Sequence, residues 1–273
     1  MFGKIFKNYK EVPVIKLSGV IGQGGSLRSG LNMSNLDKII EKAFSFKKAP
    51  AIALLINSPG GSPTQSSLIA SKIRSLAIKN KIKVYAFVED VAASGGYWLA
   101  CAADEIYIDE NSIVGSIGVI SPGFGFVQML KKLGIERRVY TSGKSKSFLD
   151  PFKAIKQEDI KRLKGIQEQI HKNFIKYVKK SRGNKIKLKD KNIFNGLFWI
   201  GDQAIKLGLA DSIGHIESTM KKKYGSKTKI RFIEQKKSFI QKRFSSLANT
   251  KLIDSSEIID ALEEKAYWSR FGL

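Results

Sequence analysis

The pattern of apolar and turn-forming residues predicts an α/β fold with much parallel sheet and a basic appendage at the C-terminal end. Three observations carry this. Strand-like and helix-like stretches alternate from Val12 to Ser142, the order expected of strand–helix–strand units. Ala51-Ile-Ala-Leu-Leu-Ile is a continuous apolar run of strand length, as in strands covered on both faces. That run stops at Asn57-Ser-Pro-Gly-Gly-Ser, a strong turn signal.

Taken in order, Val12 to Ile21 reads as the first strand, closed by Gly22, Gly24 and Gly25. Asn32-Met-Ser-Asn-Leu-Asp offers caps for a helix through about Phe46. After the second strand, Leu68, Ile69, Ile73, Leu76 and Ala77 fall at helical spacing within 64–78. Lys83 to Asp90 is the third strand, and Tyr97-Trp-Leu-Ala-Cys-Ala-Ala a small, apolar, buried helix. Glu105-Ile-Tyr-Ile-Asp alternates as a short strand, Val114 to Ile120 reads as a glycine-punctuated strand, and Phe126 to Leu133 as a helix. Arg137-Arg-Val-Tyr-Thr-Ser returns to strand before Gly143.

One long helix spans about Gln157 to Arg182, with an apolar stripe from Ile160 to Val178 and His171 beside it. A turn, helix and strand follow, closing at Gly214. Beyond Glu217, runs such as Lys221-Lys-Lys and Lys236-Lys alternate with apolar positions. Lys229-Ile-Arg-Phe-Ile reads as an edge strand and Ile258 to Phe271 as an amphipathic helix.

The net charge of +24 is the compositional outlier. The lysines are spread through the whole chain, and no aromatic-basic motif of an RNA-binding sheet is present, so nucleic acid is not expected as a partner. An anionic membrane surface remains open to so basic a protein. The single cysteine, Cys101, excludes an internal disulfide. With only two histidines and no cysteine pair, no structural zinc is expected. No apolar run approaches the roughly 20 residues of a membrane span. The N-terminus, broken by charges every few residues, does not read as a signal peptide. These features predict a cytoplasmic protein, with peripheral contact to anionic lipid open to its basic surface.

The candidate chemistry centres on Val91-Ala-Ala-Ser-Gly-Gly-Tyr-Trp, where a strand passes into a helix. Unpaired N–H groups at a helix start favour negative charge, and glycines admit close approach of a carbonyl. Ser94 is therefore either a nucleophile or an N-capping serine beside packing glycines. A serine nucleophile needs a proton acceptor. His171 lies in a lysine-rich helix and His215 follows a glycine; neither sits in a glycine-rich loop with an orienting carboxylate, which disfavours a Ser-His-Asp triad. A lysine serves instead if apolar surroundings depress its pKa. Lys146 follows a strand and a glycine turn and runs into Phe148-Leu and Pro151-Phe; Lys144 is its rival.

Asn57-Ser-Pro-Gly-Gly-Ser, Ala92-Ala-Ser-Gly-Gly-Tyr-Trp, Gly115-Ser-Ile-Gly-Val-Ile and Ser142-Gly-Lys-Ser-Lys, in that order, resemble the signal peptide peptidase A (protease IV) family, Ser-Lys serine peptidases. The resemblance runs from about Val12 to Gly214, including Gly201-Asp-Gln-Ala and Leu207-Gly-Leu-Ala-Asp-Ser-Ile-Gly, and is to the short, single-repeat form. It implies a Clp-protease/crotonase-like peptidase domain over residues 12–216, after an N-terminal segment 1–11 and before a basic extension 217–273. It implies Ser94 as nucleophile, Lys146 as general base and Ser116 as the hydroxyl that orients it. The N–H groups of Gly61 and Gly95 become the oxyanion donors, with Gly60 contributing turn geometry. No metal or other cofactor is implied.

The implied substrates are extended apolar peptides such as cleaved signal peptides. In the family, base and nucleophile come from neighbouring repeats or subunits, so a short chain implies a ring-like homo-oligomer with composite sites. Two other readings use the same residues differently. A crotonase-type acyl-coenzyme A enzyme needs the oxyanion glycines but neither Lys146 nor Ser116. A non-catalytic basic scaffold protein needs none of them.

Overall fold

The computed structural model describes residues 9–22, 30–143, 145–187, 191–234, 262 and 265–273. The first apolar run forms β1 (Glu11–Ser18), and the capped stretch after it forms α1 (Met33–Phe44), where the Asn32 side chain accepts from the Asn35 N–H. The continuous apolar run is β2 (Ala51–Ser58). Ser62 caps α2 (Pro63–Asn80), and Pro63 enters at the first helical position, where its missing N–H costs no intrahelical bond. β3 (Lys83–Ala93) leads directly into α3 (Gly95–Ala100). Two short strands follow, β4 (Glu105–Ile108) and β5 (Ile113–Gly115), then the helices α4 (Val127–Lys132) and α5 (Gln157–Arg182). β6 (Phe198–Ile200), α6 (Gly201–Lys206), β7 (Ser212–Ile213), α7 (Ile216–Tyr224) and β8 (Lys229–Phe232) complete the order.

Among the described residues the strands join in one sheet of order β6-β5-β3-β2-β1-β8, parallel except for β5 with β6. β3 is the longest strand, and its far edge forks. Tyr85–Phe87 pair with β4, which in turn pairs with β7, whereas Val91–Ala93 pair with β5. Between the two halves Glu89 and Asp90 are exposed, and the β2–β3 register shifts beside them. Asn57 bridges that irregularity, donating from Nδ2 to Asp90 at 2.5 Å and accepting from the Val91 N–H at 3.3 Å.

The main core lies on one face, where α1, α2, α3 and α5 cover Ile15, Leu17, Ile52, Leu54, Val84 and Ala92. The opposite face carries Val12, Val14, Tyr85, Phe87 and Tyr107, covered by Met220 of α7. At the β3–β5–β6 end, that second face (Val91, Ala93 and Ile113) is covered by Trp268 and Phe271, close to the chain's last residue. The Phe271 ring meets that of Phe198 edge-on at 5.3 Å. No helix among the described residues is long and apolar enough to cross a membrane.

Two strand expectations are corrected. Residues 137–142 form no strand: they run largely exposed, pair with no strand among the described residues, and their charges pair locally, Arg137 with Asp150 and Arg138 with Glu136. The strand expected over 114–120 stops at Gly115, because Ser116 turns to a φ of 52° and its N–H goes to the Leu197 carbonyl at 2.7 Å. The basic stretch after 217 supplies α7 and the edge strand β8, which pairs with β1. The expected helix from Ile258 to Phe271 is described only in part, with 265–269 helical.

The long helix is fastened by one ion pair. Arg182, its side chain 1% exposed, donates to the Gly208 carbonyl at 2.8 Å and to Asp211 at 2.9 Å. Asp211 also takes the Lys185 ammonium at 2.6 Å and the Ile106 N–H at 2.7 Å. Burial alone would raise the Asp211 pKa, but the Arg182 and Lys185 hydrogen bonds outweigh it and hold the carboxyl below its ordinary value. Arg182→Ala is expected to lower unfolding free energy by less than the roughly 3–5 kcal/mol typical of a broken buried pair, because Asp211 keeps Lys185 and the Ile106 N–H. The lowered Asp211 pKa adds stability that is complete above the ordinary carboxylate value of about 3.9 and is lost as pH falls through the folded value. Urea unfolding measured across that acid range should therefore fall off less in Asp211→Asn than in the unaltered protein.

Candidate active site

Ser94 sits between β3 and α3 with φ 51° and ψ −119°. A positive φ is costly for a non-glycine residue and persists only where its surroundings impose it. Here the Ser94 N–H donates to the Gly115 carbonyl at 2.8 Å, and the Ser94 carbonyl accepts from the Trp98 N–H at 3.0 Å. The capping alternative is not realised, because the Ser94 side chain makes no hydrogen bond to the start of α3. Its hydroxyl makes none to any other described residue either, and the residue is partly exposed. The conformation thus holds a free hydroxyl at a helix start.

The Ser58–Ser62 turn lies directly against it. A Cβ at Gly60, where φ is 109°, would stand 2.8 Å from the Ser94 Cβ and 2.9 Å from the Gly95 nitrogen. Gly61, with φ 137°, forms a bridge with Ile21, and a Cβ there would stand 2.1 Å from the Ile21 carbonyl oxygen. Ile21 donates to the Gly60 carbonyl and accepts from the Ser62 N–H, which leaves the Gly61 N–H without an acceptor among the described residues. The Cβ position of Gly95 is 3.4 Å from the Gly61 nitrogen. Gly95 opens α3, so its N–H belongs to the first turn and has no intrahelical partner. Two backbone donors, those of Gly61 and Gly95, therefore lie close together where the Ser58–Ser62 turn meets Ser94.

Ser116 comes to the same place through the sheet. Ala93 pairs with Gly115, so the next residues, Ser94 and Ser116, leave neighbouring parallel strands side by side, both at positive φ. Ser116 is 5% exposed. Lys146 is not brought into contact with this pair. It lies exposed in a turn of the excursion 119–156, its N–H donating to the Gly143 carbonyl at 3.2 Å, and no described contact joins it to Ser94 or Ser116. The rival Lys144 lies outside the described residues. The excursion carries exposed apolar side chains, with Phe124 83%, Leu133 62% and Tyr140 91% accessible. Phe126 stacks on Phe152, and the Arg137 guanidinium lies 4.7 Å from the Phe152 ring centre.

The other titratable candidates fall away. Burial pushes the Cys101 thiol up to about 12, which makes it inert as a nucleophile. His215 is 70% exposed and faces Asp109 at 3.6 Å. His171 donates from Nε2 to the Ile117 carbonyl at 3.0 Å, a role that the sequence shows only as a histidine beside an apolar stripe. Among the described residues, no group of three or more His, Cys, Asp and Glu side chains is placed to hold a metal ion.

Comparisons with known proteins bear on the family and the fold. The sequence pattern of peptidase family S49 matches residues 77–228, more than half of the chain, and that of the NfeD1b N-terminal domain matches residues 25–125. A Brucella abortus protein named Na(+)/H(+) antiporter NhaA is 47% identical over 96% of this chain, which spans 37% of that protein's length. An Enterococcus faecium protein named after signal peptide peptidase SppA is 30% identical over 77% of this chain and 62% of its own. Protease 4 of Haemophilus influenzae is 29% identical over 78% of this chain and 34% of its own. The 1510-N membrane-bound stomatin-specific protease superposes with a TM-score of 0.52 at 18% identity, covering 84% of this chain and 99% of that one, which shows the shared Clp-protease/crotonase-like fold. By its sequence match, this chain belongs to peptidase family S49.

Proposed function

We propose that the chain is a serine endopeptidase in which Ser94 is the nucleophile, Lys146 the general base and Ser116 the hydroxyl that orients the lysine. The observation that carries this is the conformation of Ser94, free of any capping bond, with the Gly61 and Gly95 N–H groups beside it. Neutral Lys146 takes the Ser94 proton as Oγ attacks a peptide carbonyl, and the two N–H groups stabilise the oxyanion. The lysinium then protonates the leaving amine. Water, deprotonated by the same lysine, hydrolyses the acyl-enzyme and regenerates Ser94. Gly60 serves by leaving room for Ser94.

Lys146 is exposed and has no described contact with Ser94 of its own chain, which favours a base delivered to a neighbouring copy. A lysine is neutral near pH 7 only where water is excluded. The exposed Phe124, Leu133 and Tyr140 would supply such surroundings once a second copy covers them. A ring-like homo-oligomer satisfies both needs. The substrates that fit are extended apolar peptides, cleaved signal peptides among them. The net charge of +24, and the Brucella relatives in which the matching segment is part of a longer chain named for an antiporter, favour work beside a membrane.

Ser94→Ala and Lys146→Ala are each expected to abolish cleavage of a fluorogenic apolar peptide, and a fluorophosphonate probe to label Ser94 alone. Unchanged cleavage in both variants would remove the dyad. Mixing the two inactive variants should restore about a quarter of the unaltered activity, the fraction of sites in a randomly mixed ring with an intact serine facing an intact lysine. No recovery would place both residues in one chain. Gly61→Ala keeps the N–H but drives a Cβ into the Ile21 carbonyl oxygen, so it should shift the turn and, by misplacing one oxyanion donor, reduce kcat by about 10²–10³, while a coenzyme A thioester substrate shows no turnover.

A further inference from the structure

The excursion that carries Lys146 leaves the body of the protein after Ile117 and returns along α5. The outgoing segment turns sharply: Ser116 is at φ 52°, its N–H held by the Leu197 carbonyl, and the Gly118 N–H donates back to the Ser116 carbonyl at 2.9 Å. The returning helix meets the excursion over its first half, where Asp159 accepts from the Leu149 N–H and Arg162 lies over the Phe148 ring, and engages the core only from about His171 onward. There Phe174 and Tyr177 stack on Trp98 of α3 at 4.7 and 5.3 Å, and the Ser181 hydroxyl donates to the Cys101 carbonyl at 2.6 Å. His171 is the first α5 side chain to hydrogen-bond the body, through Nε2 and the Ile117 carbonyl, across 54 positions of sequence. A carbonyl oxygen only accepts, so Nε2 must carry the proton.

We infer that His171 is a positioning residue that clamps the neck of the Lys146 arm, holding its outgoing and returning ends together and fixing the Ser116 turn. The inference rests on the Ser-Lys reading for its catalytic consequence but not for the clamp itself. The Ile117 side chain is fully buried, so its carbonyl has one direction in which to point, and α5 is fixed at that level by the stacked rings of Trp98, Phe174 and Tyr177. A single hydrogen bond between two such anchored elements sets the angle at which some fifty residues of exposed chain stand off the body. Small changes at a neck displace a distant lysine most, and misplacement of about 1 Å can cost 10²-fold in rate.

The test compares His171→Leu, which keeps bulk without a donor, with His171→Gln, which keeps an N–H at similar reach. Two readouts are taken on the full chain. Deuterium exchange over 116–120 should accelerate about tenfold in the leucine variant, the worth of one net hydrogen bond, while the 174–182 part of α5 keeps its protection. In peptide cleavage, kcat should fall about tenfold with KM within twofold, and His171→Gln should recover most of it in both assays. Unchanged exchange over 116–120 in the leucine variant overturns the clamp, whether or not the enzyme cleaves peptides. Equal impairment of both variants, with loss of protection along all of α5, also overturns it and assigns His171 to packing. Faster exchange together with undiminished cleavage would retain the clamp and overturn its catalytic consequence, leaving the Ser-Lys reading to the Ser94→Ala and Lys146→Ala variants.

Discussion

The hydrogen bond from the Ser94 N–H to the Gly115 carbonyl is the interaction on which the site depends. It is the last rung of the β3–β5 ladder, made one residue beyond the end of β3. Through it a left-handed serine is joined to the residue before a second left-handed serine, and the chain turns away from both strands at one level. The Ser58 to Ser62 turn fits there only because glycines stand at 60 and 61. The sheet also explains why this happens at the end of β3. β3 gives its first half to β4 and its second half to β5, so the later part of its edge is released from β4 where Ser94 follows.

Most of the framework was readable from the residues, and the reasons are local. The apolar run at Ala51, the Ser62–Pro63 entry to α2 and the stripe of α5 each commit a segment to one conformation without help from distant contacts. The site residues, by contrast, became specific only through a resemblance spanning four motifs. Composition and spacing left Ser94 divided between cap and nucleophile. What separates the two readings is a backbone angle, and that angle is imposed by Gly115, which is distant in sequence.

The misread segments share a cause. Arg137 to Ser142 has strand-like composition, but strand is a property of a pair, and no described residue pairs with it. Val114 to Ile120 alternates as a strand should, yet Leu197 takes the Ser116 N–H and diverts the chain. His171 was invisible for a related reason, since its partner is a backbone carbonyl and a carbonyl leaves no mark in sequence. Edge strands, strained turns and side-chain-to-backbone bonds are all decided by what happens to be opposite.

The covering of Val91, Ala93 and Ile113 by Trp268 and Phe271 has a practical side. The strand that leads into Ser94 is roofed on one face by side chains from far along the sequence. Exchanging Trp268 and Phe271 for alanine would bare Val91, Ala93 and Ile113 to water at the back of that strand, so a change remote in sequence reaches the backbone beside Ser94.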